Sequence, residues 1–79
     1  MLVRGKELRL RGHAQDGMNA ERPPIDMADM IHALQEPDHD DGATAIKRVA
    51  RRTVIVRYDE DETWIVVRSV SATRRPLSP

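Results

Sequence analysis

The sequence predicts an α+β fold, a small antiparallel sheet with two helices packed on one face. Three observations predict it. The chain has 79 residues, room for one domain, because separate domains usually need on the order of 100 residues each. Its apolar residues alternate near both ends but recur every three to four positions in the middle, as in Met27, Met30, Ile31 and Leu34, the spacings of half-buried strands and of an amphipathic helix. Pro23, Pro24 and Pro37 bracket that middle segment and stop helices where they fall, since proline has no amide hydrogen and restricts the residue before it.

The first element is a strand, in which Leu8 and Leu10 alternate with Glu7, Arg9 and Arg11 between Gly5 and Gly12. A short helix over 13–22 follows, turning Ala14 and Met18 inward, with Gly17 and Asn19 weakening it. A stronger helix over 26–36 carries its own signals. Asp26 can cap it, Asp29 suits the positive first turn, and Ile25 can staple onto Met30. Its stripe of Met27, Met30, Ile31 and Leu34 reads as core. After a polar loop, 38–42, come three strand-like runs: 43–50, 53–58 and 63–73.

The last two runs are rich in Val and Ile and read as a hairpin turning at 59–62. Pairing Tyr58 with Thr63 sets Arg57 opposite Trp64 and Thr53 opposite Arg68 on one side. Val54, Val56, Ile65 and Val67 then form the other side, which receives the helices.

Composition narrows the class. Apolar residues make up 39% and charged residues 33% of the chain, too apolar for wholesale disorder. With no Phe, one Trp and one Tyr, aliphatic side chains must build the core. A chain this short buries only about 60–65% of its unfolded surface, so that core is thin. The absence of cysteine excludes disulfides and thiolate metal sites and fits a reducing cytoplasm. No apolar run approaches the roughly 20 residues of a spanning helix, and Met1, Leu2, Val3 and Arg4 do not open a signal peptide. We therefore expect one cytoplasmic domain, 1–79, with no membrane partner, no cofactor and a flexible tail over 74–79.

The formal net charge is zero, but the charges are segregated. Residues 14–43 hold Asp16, Glu21, Asp26, Asp29, Glu36, Asp38, Asp40 and Asp41 against Arg22 alone. Residues 44–58 are purely basic, with Lys47, Arg48, Arg51, Arg52 and Arg57. Such blocks create local potentials that a net charge hides.

His13, Ala14, Met18, Arg22, Ile25, Asp29, Ala33, Leu34 and Pro37 resemble a group of small bacterial domains of unknown function similar in fold to the RelE and ParE toxins. The ending Arg68, Ser69, Val70, Ser71, Ala72 is similar to the BrnT toxin branch. The resemblance spans roughly residues 8–74. Gly17 stands where an Arg is often found. The resemblance implies a RelE-like order of strand, helix, helix, strand, strand, strand. It also implies cleavage of messenger RNA, usually on the ribosome, with a cognate antitoxin protein covering the active surface.

The residues supply candidates for that chemistry. Cleavage of RNA by its own 2′-hydroxyl needs proton transfer and cations around the phosphate. Arg57 and Arg68 are the candidate phosphate cations, Trp64 a stacking platform for a base, and His13 a proton-transfer group that titrates near neutrality. His32 and His39 with the acids of the 38–41 loop lack the spacing of a metal site, and none is expected. Two functions follow: a toxin-like RNA-binding or RNA-cleaving domain, or a non-catalytic interaction module that uses the Trp64 face to form a homodimer or dock a partner.

Overall fold

The computed structural model describes residues 2–74. All of the expected tail except Arg74 lies outside the described residues. Among the described residues the fold is α+β, with a six-stranded sheet and two helices. β1 (Leu2–Val3) and β2 (Lys6–Leu10) form a hairpin in which Val3 pairs with Lys6. The two turn residues, Arg4 and Gly5, have φ of 57° and 76°. Left-handed backbone at both central positions is what a two-residue hairpin turn compatible with strand twist requires. Gly5 adopts it freely, whereas Arg4 must be held there by its side chain.

α1 (Gly12–Ala20) buries Ala14 and Met18 and lies on β6 (Trp64–Thr73). A Cβ on Gly17 would stand 2.5 Å from the Val70 carbonyl oxygen. The glycine that weakens the helix in sequence terms is therefore what lets it approach the sheet. The Ile25 amide then donates to the Met18 carbonyl at 3.0 Å, drawing Ile25 into the core.

α2 (Met27–Gln35) starts as the sequence signals, with the Asp26 carboxylate accepting the Asp29 amide at 2.8 Å. Its buried face differs from the expected stripe. Met30, Ala33 and Leu34 are fully buried, Ile31 is half-buried and Met27 is 41% exposed. At 3.6 residues per turn, a face centred on Met30, Ala33 and Leu34 puts Met27 and Ile31 on its flanks. The small Ala33 contributes to the contact in place of Met27.

The remaining strands are β3 (His39–Asp40), β4 (Thr44–Val49) and β5 (Arg52–Glu60), and the sheet order is β1-β2-β6-β5-β4-β3. The sheet corrects the sequence expectation in three ways. It has six strands, because two-residue pairings extend both edges. It is mixed rather than antiparallel, because the chain returns from β2 through two helices and three strands to place β6 parallel beside β2. The β5–β6 register also differs. β5 continues to Glu60, and the turn is 61–63, where the Asp61 carboxylate accepts the amides of Thr63 and Trp64 at 2.8 and 2.7 Å. Tyr58 thus pairs with Val67, and Arg57 with Ser69, across a bulge.

The inward side survives this shift near the turn because the register moves there by an even number of residues. Val54, Val56, Tyr58, Ile65, Val67 and Val70 form one core with Met18, Met30 and Leu34, so both helices cover the same face. On β4, beyond its short pairing with β3, the Arg48 amide donates to the Asp38 carboxylate at 2.7 Å, blunting an open edge. The structure positions the opposite face of the sheet without helices across it.

Candidate nucleic-acid interface

Side chains directly opposite in a sheet share a face, so the register defines what the helix-free side presents. Glu7 pairs with Trp64, and Arg9 with Val66 and, through it, Asp59. Ser69, Arg57 and Thr44 form the next row, followed by Ser71, Ile55, Ile46 and His39, then Thr73, Thr53 and Arg48. Arg68 stands at the bulge, with Nε 3.5 Å from Asp59 Oδ2, which places its guanidinium on this face. Each of the four long strands therefore contributes one arginine: Arg9 from β2, Arg68 from β6, Arg57 from β5 and Arg48 from β4. They form a diagonal track roughly 25 Å long, from strand spacing and rise.

Trp64 lies at one end of the track and is half-buried. Its cation partner is Arg9, whose guanidinium carbon stands 4.7 Å from the ring centroid. The expected Arg57–Trp64 pair does not form, because Arg57 lies opposite Ser69, roughly 15 Å along β6 from Trp64. Arg57 is exposed, and neither its side chain nor that of Arg48 has a polar partner among the described residues.

Of the candidate residues, Trp64, Arg57 and Arg68 share this face and His13 does not join them. His13 is exposed on α1, the helix packed against the other side of the sheet. The histidine that shares the open face is His39, at its β3 edge. The alternation of β2 marks Arg9 as outward in the sequence, whereas the 44–49 run has no such alternation and leaves Arg48 unassigned, and the alignment of both with Arg57 depends on pairings no local pattern specifies. Among the described residues, no three His, Asp or Glu side chains gather as metal ligands, and no helix is long and apolar enough to cross a membrane.

A second polar cluster was not foreseen from the sequence. Arg4 donates from Nε to the Leu34 carbonyl, from Nη1 to Tyr58 Oη and Glu60 Oε1 at 3.1 and 3.2 Å, and from Nη2 to Asp40 Oδ2 at 2.6 Å. Tyr58 Oη donates to Asp40 Oδ1 at 2.6 Å, and Lys6 Nζ reaches Glu60 at 2.8 Å. This cluster ties the β1–β2 turn to the end of α2, β3 and β5, and it explains how Arg4 is held in a left-handed conformation. Burial opposes ionisation of Asp40, but hydrogen bonds from Tyr58, the Gly42 amide and Arg4 outweigh it and hold the carboxyl below its ordinary range. Burial and the bond to Asp40 push the Tyr58 phenol up. Each polar side chain of the cluster is partnered within the fold, so its role is structural.

Compared with protein-family models, curated proteins and solved structures, the chain finds no match in any of the three.

Proposed function

We propose that this chain is a toxin-like domain that binds single-stranded RNA on its helix-free sheet face. The observation that carries the reading is the arginine track beside Trp64, in which Arg57 and Arg48 have charges that nothing among the described residues neutralises. A row of cations follows a phosphate backbone, and an aromatic ring held by Arg9 offers a base a stacking surface. The hydroxyls of Ser69, Ser71 and Thr44 add donors on the same rows. Leaving aside the two-residue β1 and β3, the elements run strand, helix, helix, strand, strand, strand, the order the sequence resemblance implies, which supports the same reading. With His13 on the helix side, binding is better supported than cleavage.

Titrating single-stranded RNA while following Trp64 fluorescence tests this. Stacking quenches the single tryptophan, and Arg9→Gln weakens the complex without unfolding the domain. An emission spectrum indifferent to RNA at low salt contradicts it.

The alternative, a protein-interaction or dimerisation module, has its own observation. Ile46 and Ile55 face each other on the open side, Val66 lies one strand away, and Leu2 is 60% exposed at the edge. An antitoxin or second copy covering this face would bury those apolar groups. Sedimentation at micromolar concentration separates the two, since the RNA-binding reading predicts a monomer that RNA saturates and the module predicts a dimer or a stable heterocomplex.

A further inference from the structure

At the end of the sheet away from the Arg4 cluster, the β4–β5 turn, the residue after β6 and the linker between the helices enclose an open cleft of about 300 Å³. Its lining is Pro23, Ala50, Arg51, Arg52 and Arg74. Three of five lining residues are arginines, and none forms an ion pair among the described residues.

Arg52 donates to the Pro23 carbonyl and, at 3.1 Å, to that of Pro24. Arg74 donates to the Arg22 carbonyl at 3.3 Å. Carbonyl oxygens orient a guanidinium without cancelling its charge, so these two cations are aimed but not neutralised. Arg51 is exposed and its side chain has no partner among the described residues.

Three like charges held around one cleft repel each other, and a compact dianion relieves that repulsion most effectively. Guanidinium forks match the paired oxygens of a phosphate. The remaining walls are carbon: the Pro23 ring, the Ala50 methyl and the aliphatic stems of the arginines. They suit a flat ring, on which a guanidinium plane also stacks. The volume is at the lower end of the range for small-molecule sites, and a helix about 10 Å across would not fit it.

We propose that this cleft binds a phosphomonoester carried on a flat ring, either a free mononucleotide or the 5′-phosphorylated terminal nucleotide of a strand. The site lies beyond the sheet end and on the helix side, so it stands whether or not the open face binds RNA.

The test is amide NMR of the full chain titrated with adenosine 5′-monophosphate, adenosine, inorganic phosphate, and matched short RNAs bearing a 5′-phosphate or a 5′-hydroxyl. We expect saturable shifts at Ala50, Arg51 and Arg52 with the monophosphate, and affinities at least tenfold weaker for adenosine or phosphate alone. Arg51→Gln should lower monophosphate affinity tenfold or more with the spectrum otherwise intact, whereas Arg57→Gln with Arg68→Gln should leave it unchanged. A 5′-phosphorylated strand shifting these amides more strongly than its hydroxyl counterpart assigns the site to RNA ends. Monophosphate binding without that difference assigns it to free nucleotide. No saturable shift, adenosine binding as well as the monophosphate, or an Arg51→Gln protein that binds as tightly as the parent would overturn the proposal.

Discussion

The two ends of the sheet use arginine in opposite ways. At one end Arg4 meets a carbonyl, a phenol and two carboxylates. At the other, among the described residues, Arg52 and Arg74 meet only neutral carbonyls and the Arg51 side chain meets no partner. The open face between them belongs with the second class, since among the described residues the Arg57 and Arg48 side chains have no partners and Arg68 has one ion pair at 3.5 Å. Charge paired inside the fold holds the chain together, while charge left unpaired is available to a ligand. Substitutions at the two ends should therefore report on different properties, stability in one case and binding in the other.

The largest effect belongs to the paired end and its core. Tyr58→Ala removes a fully buried ring and one of the three donors to Asp40, and is expected to cost about 3–5 kcal/mol, enough to threaten a domain of ordinary marginal stability. Leu34→Ala, in the same core, should cost about 2–5 kcal/mol. Denaturant unfolding measures both, and a midpoint unchanged for Leu34→Ala rejects the placement of α2.

Gly17→Ala comes next, and its sign is informative. In an exposed helix interior this change stabilises by up to about 1 kcal/mol. Here the added Cβ meets the Val70 carbonyl at 2.5 Å, so we expect a loss of roughly 1–3 kcal/mol from overpacking. A stabilised variant contradicts the close approach of α1 to β6.

Asp40→Asn probes the pairing itself and is expected to cost roughly 1–3 kcal/mol at neutral pH. Because the Asp40 carboxyl is held below its ordinary range in the fold, it binds a proton more readily when unfolded. Its contribution is therefore present above the unfolded value near pH ~4 and is lost as pH falls through the lower folded value. Acid titration of stability should be shallower in the variant, and parallel curves would remove Asp40 from the account. The smallest effect is at Ala50, whose φ of 57° is left-handed. Ala50→Gly should raise stability by less than about 1 kcal/mol, since relief of the turn is partly offset by unfolded-chain entropy.

The same contrast explains what the sequence disclosed. Both helices, the Asp26 cap, the inward face of β5 and that of β6 as far as Val67 follow from local periodicity and capping chemistry, while beyond the bulge Val70 is buried where alternation turns it outward. The hairpin register does not, because alternation fixes which side a residue faces but is blind to an even slide, and the bulge between Arg57 and Tyr58 has no sequence mark. The parallel β2–β6 pairing joins distant parts of the chain, and with it goes the pairing of Trp64 with Arg9 rather than Arg57. The Arg4 cluster is equally long-range: Arg4 finds Asp40, Tyr58 and Glu60 only after every strand is in place. The grouping of Arg51 and Arg52 was visible as a basic block, but the cleft they form with Pro23 and Arg74 was not.

The claim that unpaired arginines serve a ligand is tested most directly by the salt dependence of RNA binding in the parent chain and in the Arg57→Gln, Arg68→Gln double variant. Counterion release makes the logarithm of affinity fall with that of salt by roughly 0.7 per phosphate contacted on a single strand. We predict measurable binding at low salt, a slope shallower by about 1.4 in the variant if each arginine holds one phosphate, and unfolding curves that coincide within about 0.5 kcal/mol, as exposed substitutions allow. Equal slopes and affinities for the two proteins, or no binding by the parent at low salt, would contradict the account.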